Sequence, residues 1–197
     1  MLRRYRTFAL RSRTSQFLPP LERVVVEEMP SPLGHLLGGV VVGSFASRRP
    51  AWPLIAACSV AAALPDVDIL LPIAHRGPTH SVAAACIVFG GTLVVLSRSR
   101  WKGDRVRLAS AIAVGVLSHI LLDWLGEDSS RPRGVMALWP LSTAYYISNL
   151  DIFAAVDRRY WLPGFWQRNI TALARELAIL APLAWFAIRR VNQRQRN

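Results

Sequence analysis

Residues 29–47, 50–65, 77–97 and 108–122 contain no Asp, Glu, Lys or Arg, and 177–188 is a fifth, less sharply bounded run of the same kind. Ala, Leu, Ile, Val and Gly dominate these stretches, and none alternates polar with apolar residues as a half-buried strand does. The pattern predicts five helices, over roughly 33–47, 51–71, 80–97, 107–125 and 170–188. Crossing a bilayer takes about 20 apolar residues. By that measure 80–97 and 107–125 qualify best, the first two helices are short or interrupted, and the last carries Arg175 and Glu176. Charged residues make up 18% of the chain and apolar residues 52%, against about 25% charged in a soluble domain. The net charge of +12 sits in short clusters between the apolar runs, as in the loops of a membrane protein. A disordered chain is excluded and a soluble enzyme disfavoured. The expected fold is a single all-α, membrane-embedded bundle of about five helices; a soluble bundle with a very apolar core is the alternative. Gly34, Gly38, Gly39 and Gly43 give the first helix two GxxxG spacings, which permit close helix approach.

The four histidines, His35, His75, His80 and His119, all lie at ends of apolar runs. His35 opens the first helix, and Asp66 and Asp68 close the second. His75 and His80 precede the third, and His119 and Asp123 share one face near the end of the fourth. If the chain crosses at each helix, these four places lie on one side, so seven nitrogen and oxygen donors meet at one end of the bundle. Carboxylates buried close together repel one another unless a cation neutralises them, and ionisable groups in membrane helices usually mark a functional site. Imidazole and carboxylate together suit zinc, iron or manganese. Cys58 and Cys86 lie inside apolar runs and read as small core residues, with no disulfide framework or CxxC site.

Outside the helices, 126–169 carries turn residues and then Tyr145, Tyr146, Phe153, Tyr160, Trp161, Phe165 and Trp166 among arginines. Such a stretch suits a membrane–water interface, or an ordinary surface helix with one hydrophobic face. Residues 1–28 are basic and differ in composition from the rest, and Met29 directly precedes the first apolar run. The expectation is an extension, 1–28, with the true start at Met29, a membrane domain over 29–190 and a basic tail over 191–197.

Four segments carry a resemblance: Pro30-Ser31-Pro32-Leu33-Gly34-His35, Leu64-Pro65-Asp66-Val67-Asp68, His75-Arg76-Gly77-Pro78-Thr79-His80-Ser81 and Ser118-His119-Ile120-Leu121-Leu122-Asp123. With Gly134-Val135-Met136-Ala137-Leu138-Trp139-Pro140-Leu141-Ser142, they resemble the LexA-regulated, inner-membrane, metal-dependent hydrolase family over about 29–190. The segment from His75 to Ser81 is the most specific. That family is itself distantly similar to zinc-dependent phospholipases C and single-strand nucleases. The resemblance implies a bacterial inner-membrane protein holding one to three divalent ions, zinc first, with manganese or iron as alternatives. It implies His35, Asp66, His80, His119 and Asp123 as ligands, with His75 and Asp68 as further ligands or as partners that orient them.

Metal binding of this kind leads most economically to hydrolysis of a phosphoester-type or lipid substrate by activated water. Asp68 or Asp128 is then the candidate proton acceptor, and Arg76 the candidate for stabilising developing negative charge. The chain has no HExxH, GxSxG or P-loop motif. Membrane lipid is the expected partner and nucleic acid is not. A non-catalytic metal-binding or ion-transport protein is the alternative, although the helix centres are almost wholly apolar. With five crossings, the loop at 98–107 and the C-terminal end lie together on the more basic side, which the positive-inside rule makes cytoplasmic. The His/Asp end is then non-cytoplasmic.

Overall fold

Proline and serine set the first helix. Pro32 occupies the first position of α1 (Pro32–Ala46), where its missing N–H costs nothing, and the Ser31 hydroxyl accepts from the Gly34 N–H at 3.2 Å. The second, α2 (Trp52–Ala63), tightens at Pro65 into a 3-10 segment, Leu64–Leu70. A short 3-10 turn, Pro78–His80, leads into α3 (Val82–Arg98), whose cap is the Ser81 side chain accepting from the Ala84 N–H. Asp104 caps α4 (Arg105–Leu125) in the same way through Arg107 N–H, and Gly126 ends it. The last helix is α5 (Phe165–Arg196). These elements belong to a computed structural model that describes residues 30–46, 52–71, 75–129, 131–161 and 163–196. The expected extension at 1–28, with its start at Met29, lies outside the described residues.

The protein is all-helical, with five α-helices and no strand among the described residues. Among the described residues, three segments are long and apolar enough to cross a membrane: Trp52–Leu70, Arg105–Leu125 and Phe165–Gln193. The second, expected over 51–71, runs over Trp52–Leu70 with its last turns in 3-10 geometry past Pro65, and it qualifies where composition ranked it short or interrupted. The fifth runs 32 residues, far beyond 170–188 and on through 191–196 of the expected tail. Conversely, α3 has 17 residues and falls among the shorter apolar helices with α1.

Helix α1 packs against α2, α4 and α5, while α2 and α3 both pack on α4. Small residues let the backbones touch: a Cβ at Gly39 would sit 2.4 Å from the Ser59 Cα and 2.5 Å from the Cys58 carbonyl oxygen. Ala61, Ala85 and Val116 form one apolar core between α2, α3 and α4, and Leu122, Phe153 and Leu180 a second beside α5. Arg107 at the start of α4 donates to the Ala46 carbonyl at the end of α1, so these two helices are antiparallel. Ser31 meets Glu176 and Phe45 meets Arg190, at equal separations along α1 and α5, which therefore run parallel. Val60, Ile87, Val95, Leu121 and Phe186 are among many large apolar side chains facing outward, as a lipid-facing surface requires. Cys58 is buried; Cys86 is exposed on α3 rather than in the core.

Residues 126–164 lie across the end of the bundle at which α4 finishes. Ser148 and Ile152 donate to the Trp124 and Leu125 carbonyls, and Val82 donates to Ala137. Isolated bridges join Gly126 to Phe153 and Val135 to Tyr146. Tyr160, Trp161 and Trp166 are exposed, whereas Phe153 is core.

Candidate metal centre

The start of α1, the 3-10 end of α2, the turn before α3 and the last turn of α4 meet at one point. His119 and Asp123, one turn apart on α4, face the same way, with His119 Nε2 3.2 Å from Asp123 Oδ2. His35 Nε2 lies 3.2 Å from Asp123 Oδ1. His80 Nε2 lies 3.5 Å from both Asp66 Oδ1 and Asp123 Oδ2, and His119 Nε2 lies 3.5 Å from Asp66 Oδ1. Three imidazoles and two carboxylates thus aim their donor atoms at a common space. His35, His80 and His119 are fully buried and Asp123 nearly so, while the Asp66 side chain keeps 12% exposure. Of these five side chains Asp66 is the most exposed, and Val67, Leu70 and Leu71 just after it are exposed.

Two of the three rings have their proton positions set from behind. His119 Nδ1 is 2.6 Å from the Ala62 carbonyl oxygen, an acceptor only, so Nδ1 carries the hydrogen and Nε2 the lone pair. His80 Nδ1 faces Asp68 Oδ2 at 3.3 Å and the Thr79 hydroxyl at 3.0 Å, which places its lone pair on Nε2 in the same way. This carboxylate–imidazole arrangement is the usual backing of metal-ligating histidines. In front, His35 Nε2, His80 Nε2, His119 Nε2, Asp66 Oδ1 and both Asp123 oxygens are buried with no hydrogen-bond partner among the described residues. Lone pairs facing carboxylates without a hydrogen between them are costly, and a cation satisfies all of them at once. The cluster demands positive charge. Its donor atoms fall into three overlapping sets, each within 4.8 Å: His35, Asp66 and His119; Asp66, His75 and His80; His80, His119 and Asp123. The residues present fit a divalent cation of the N/O-preferring kind.

The other candidates are placed differently. Asp68 has both oxygens engaged: Oδ1 with His75 Nδ1 at 2.5 Å, Oδ2 accepting from the Thr79 hydroxyl at 2.5 Å. It ties His75 and His80 to one carboxylate. Arg76 is buried in the left-handed region at φ +60° and donates to Asp128, which also accepts from the Gly134 N–H at 2.6 Å. Met136 donates to the Arg76 carbonyl, so this ion pair fastens 128–136 to the loop before α3. Asp128 is not among the converging donor atoms. Sequence reasoning missed Glu176: read only as a charge interrupting the fifth apolar run, it is fully buried against Ser31. Its spacing on α5 carried no signal of that contact.

No curated protein and no solved structure matches the chain. The family model described as YdjM inner membrane protein matches residues 29–195, almost the whole described chain. This chain therefore belongs to the YdjM inner membrane protein family.

Proposed function

We propose that the protein is a membrane-bound, metal-dependent hydrolase acting on a phosphoester-type or lipid substrate. The observation carrying this reading is the set of buried, inward-facing Nε2 and carboxylate oxygen atoms that lack partners, backed by fixed Nδ1 hydrogens. His35, His80, His119, Asp66 and Asp123 would hold a divalent ion, zinc first and manganese or iron as alternatives. Such an ion supplies Lewis acidity that activates water near neutral pH and polarises a phosphoryl oxygen. Asp68 keeps His75 and His80 in register, and the Arg76–Asp128 pair holds the loop that carries them. Asp66 is the ligand nearest solvent, so substrate approaches beside it. The apolar rim of Val67, Leu70 and Leu71 there favours a substrate presented from lipid. By the positive-inside rule the site faces the non-cytoplasmic side, opposite the arginine-rich 98–107 loop and the end of α5.

The test is purified protein assayed against phosphodiester, phosphomonoester and carboxylic ester substrates in lipid nanodiscs, before and after chelation. Turnover that disappears with chelation and returns with added zinc supports the reading. Metal-loaded protein that turns over none of these substrates favours the metal-binding or transport alternative.

A further inference from the structure

Glu176 lies in the candidate span Phe165–Gln193 and is fully buried. Ionisable groups at such positions are rare and need a specific partner. Its partner is Ser31: the Ser31 N–H donates to Oε1 and the Ser31 hydroxyl to Oε2. Ser31 in turn holds the first turn of α1, its hydroxyl accepting from Gly34 N–H and its carbonyl from His35 N–H, both at 3.2 Å. The negative carboxylate also sits at the positive end of α1, where the helix dipole favours it. Gly34 leaves room for it, since a Cβ there would lie 3.0 Å from Oε2. On the opposite flank, Pro30 packs on Gly126 so closely that a Cβ at Gly126 would be 2.9 Å from the Pro30 Cδ. Gly126 caps α4 three residues after Asp123, its N–H donating to the Asp123 carbonyl.

His35 differs from its two companions. His80 and His119 have Nδ1 held by Asp68, Thr79 and the Ala62 carbonyl, whereas neither nitrogen of His35 has a hydrogen-bond partner among the described residues. Apart from its stacking on His119, its ring is aimed through its backbone. From this we infer that Glu176 is a positioning residue for His35, its carboxylate clamping the first turn of α1 so that the imidazole faces Asp66 and Asp123. The assignment rests on the metal-centre reading above.

The experiment is zinc titration of the full-length, detergent-purified protein against a competing chelator, for wild type, Glu176→Gln, His35→Ala and the double variant. Each sample's thermal midpoint is also measured without zinc. Glu176→Gln keeps the side-chain volume but removes the charge and one of the two acceptors. It should weaken zinc binding about 10–100-fold, as loss of an orienting partner does, and should weaken it no further once His35 is already Ala. Ser31→Ala, a smaller change, should weaken binding in the same direction and serves if Glu176→Gln does not fold. Zinc binding that is unchanged in Glu176→Gln, or that falls equally with and without His35, overturns the positioning role alone. Wild-type protein that binds no zinc overturns the metal-centre reading and this assignment with it.

Discussion

His35 of α1 lies flat against His119 of α4, with ring centroids 3.7 Å apart and planes inclined by 21°. Two imidazolium ions stacked at that distance would repel strongly, so the pair suits neutral rings that share a cation in front of them. Because one ring comes from the first turn of α1 and the other from the last turns of α4, the packing of these helices and the geometry of the centre are one problem.

Substitution at the shared carboxylate tests this coupling. Asp123→Asn keeps the shape but removes the charge that faces His35, His80 and His119. Retained metal should fall at least tenfold, measured by elemental analysis, with the helical circular dichroism preserved.

The close approach of α1 to α2 predicts a contrast between glycines. Gly39→Ala drives a methyl group into the backbone at Cys58 and Ser59, and overpacking of this kind costs about 1–3 kcal/mol or more. A Cβ at Gly90 or Gly91 meets nothing within 4 Å. Alanine there should be neutral or stabilise by roughly 0.5–1 kcal/mol through helix propensity. Thermal midpoints in detergent separate the two classes.

Asp128→Ala removes the carboxylate that accepts from the buried Arg76 guanidinium. Breaking a buried pair from one side costs about 3–5 kcal/mol, and here it also frees the Gly134 N–H. The thermal midpoint should drop by many degrees. An unchanged midpoint would show that the pair does not fasten the 128–136 loop.

Asp157 predicts a pH dependence at the opening of α5. Hydrogen bonds from the Arg159 side chain and backbone, aided by Arg168, outweigh desolvation and lower its carboxyl to about 2. A depressed carboxylate contributes stability above its unfolded value of 3.8 and loses it as pH falls toward 2. Wild type should therefore lose stability over that window relative to Asp157→Asn. Parallel curves for the two proteins would rule the contribution out.

The number of helices and the chemistry of their ends were legible in the chain, because charge-free runs and four terminally placed histidines need no knowledge of packing. The lengths were legible only in part. The fifth helix runs 32 residues against the expected 170–188, and the 3-10 geometry of Leu64–Leu70 inside the expected 51–71 leaves no mark in the residue pattern. Arg175 and Glu176 read as an interruption, yet Arg175 reaches the Asp151 carbonyl while Glu176 turns inward to Ser31. Periodicity locates a residue on a face, but the partner on a distant helix depends on the parallel register of α1 and α5, which no local pattern encodes. The same reason hid the Arg76–Asp128 pair, whose members lie in two loops joined only in three dimensions.

Metal retention by His35, Asp66, His80, His119 and Asp123 is the property on which the proposed function rests. Its most direct test is the metal-to-protein ratio of full-length protein purified without chelators, compared with His80→Ala and Asp123→Ala purified alongside. At least one divalent ion per wild-type chain is expected, and a ratio near zero in both variants, each still folded by circular dichroism. A metal-free wild type, or variants retaining the wild-type ratio, would contradict it.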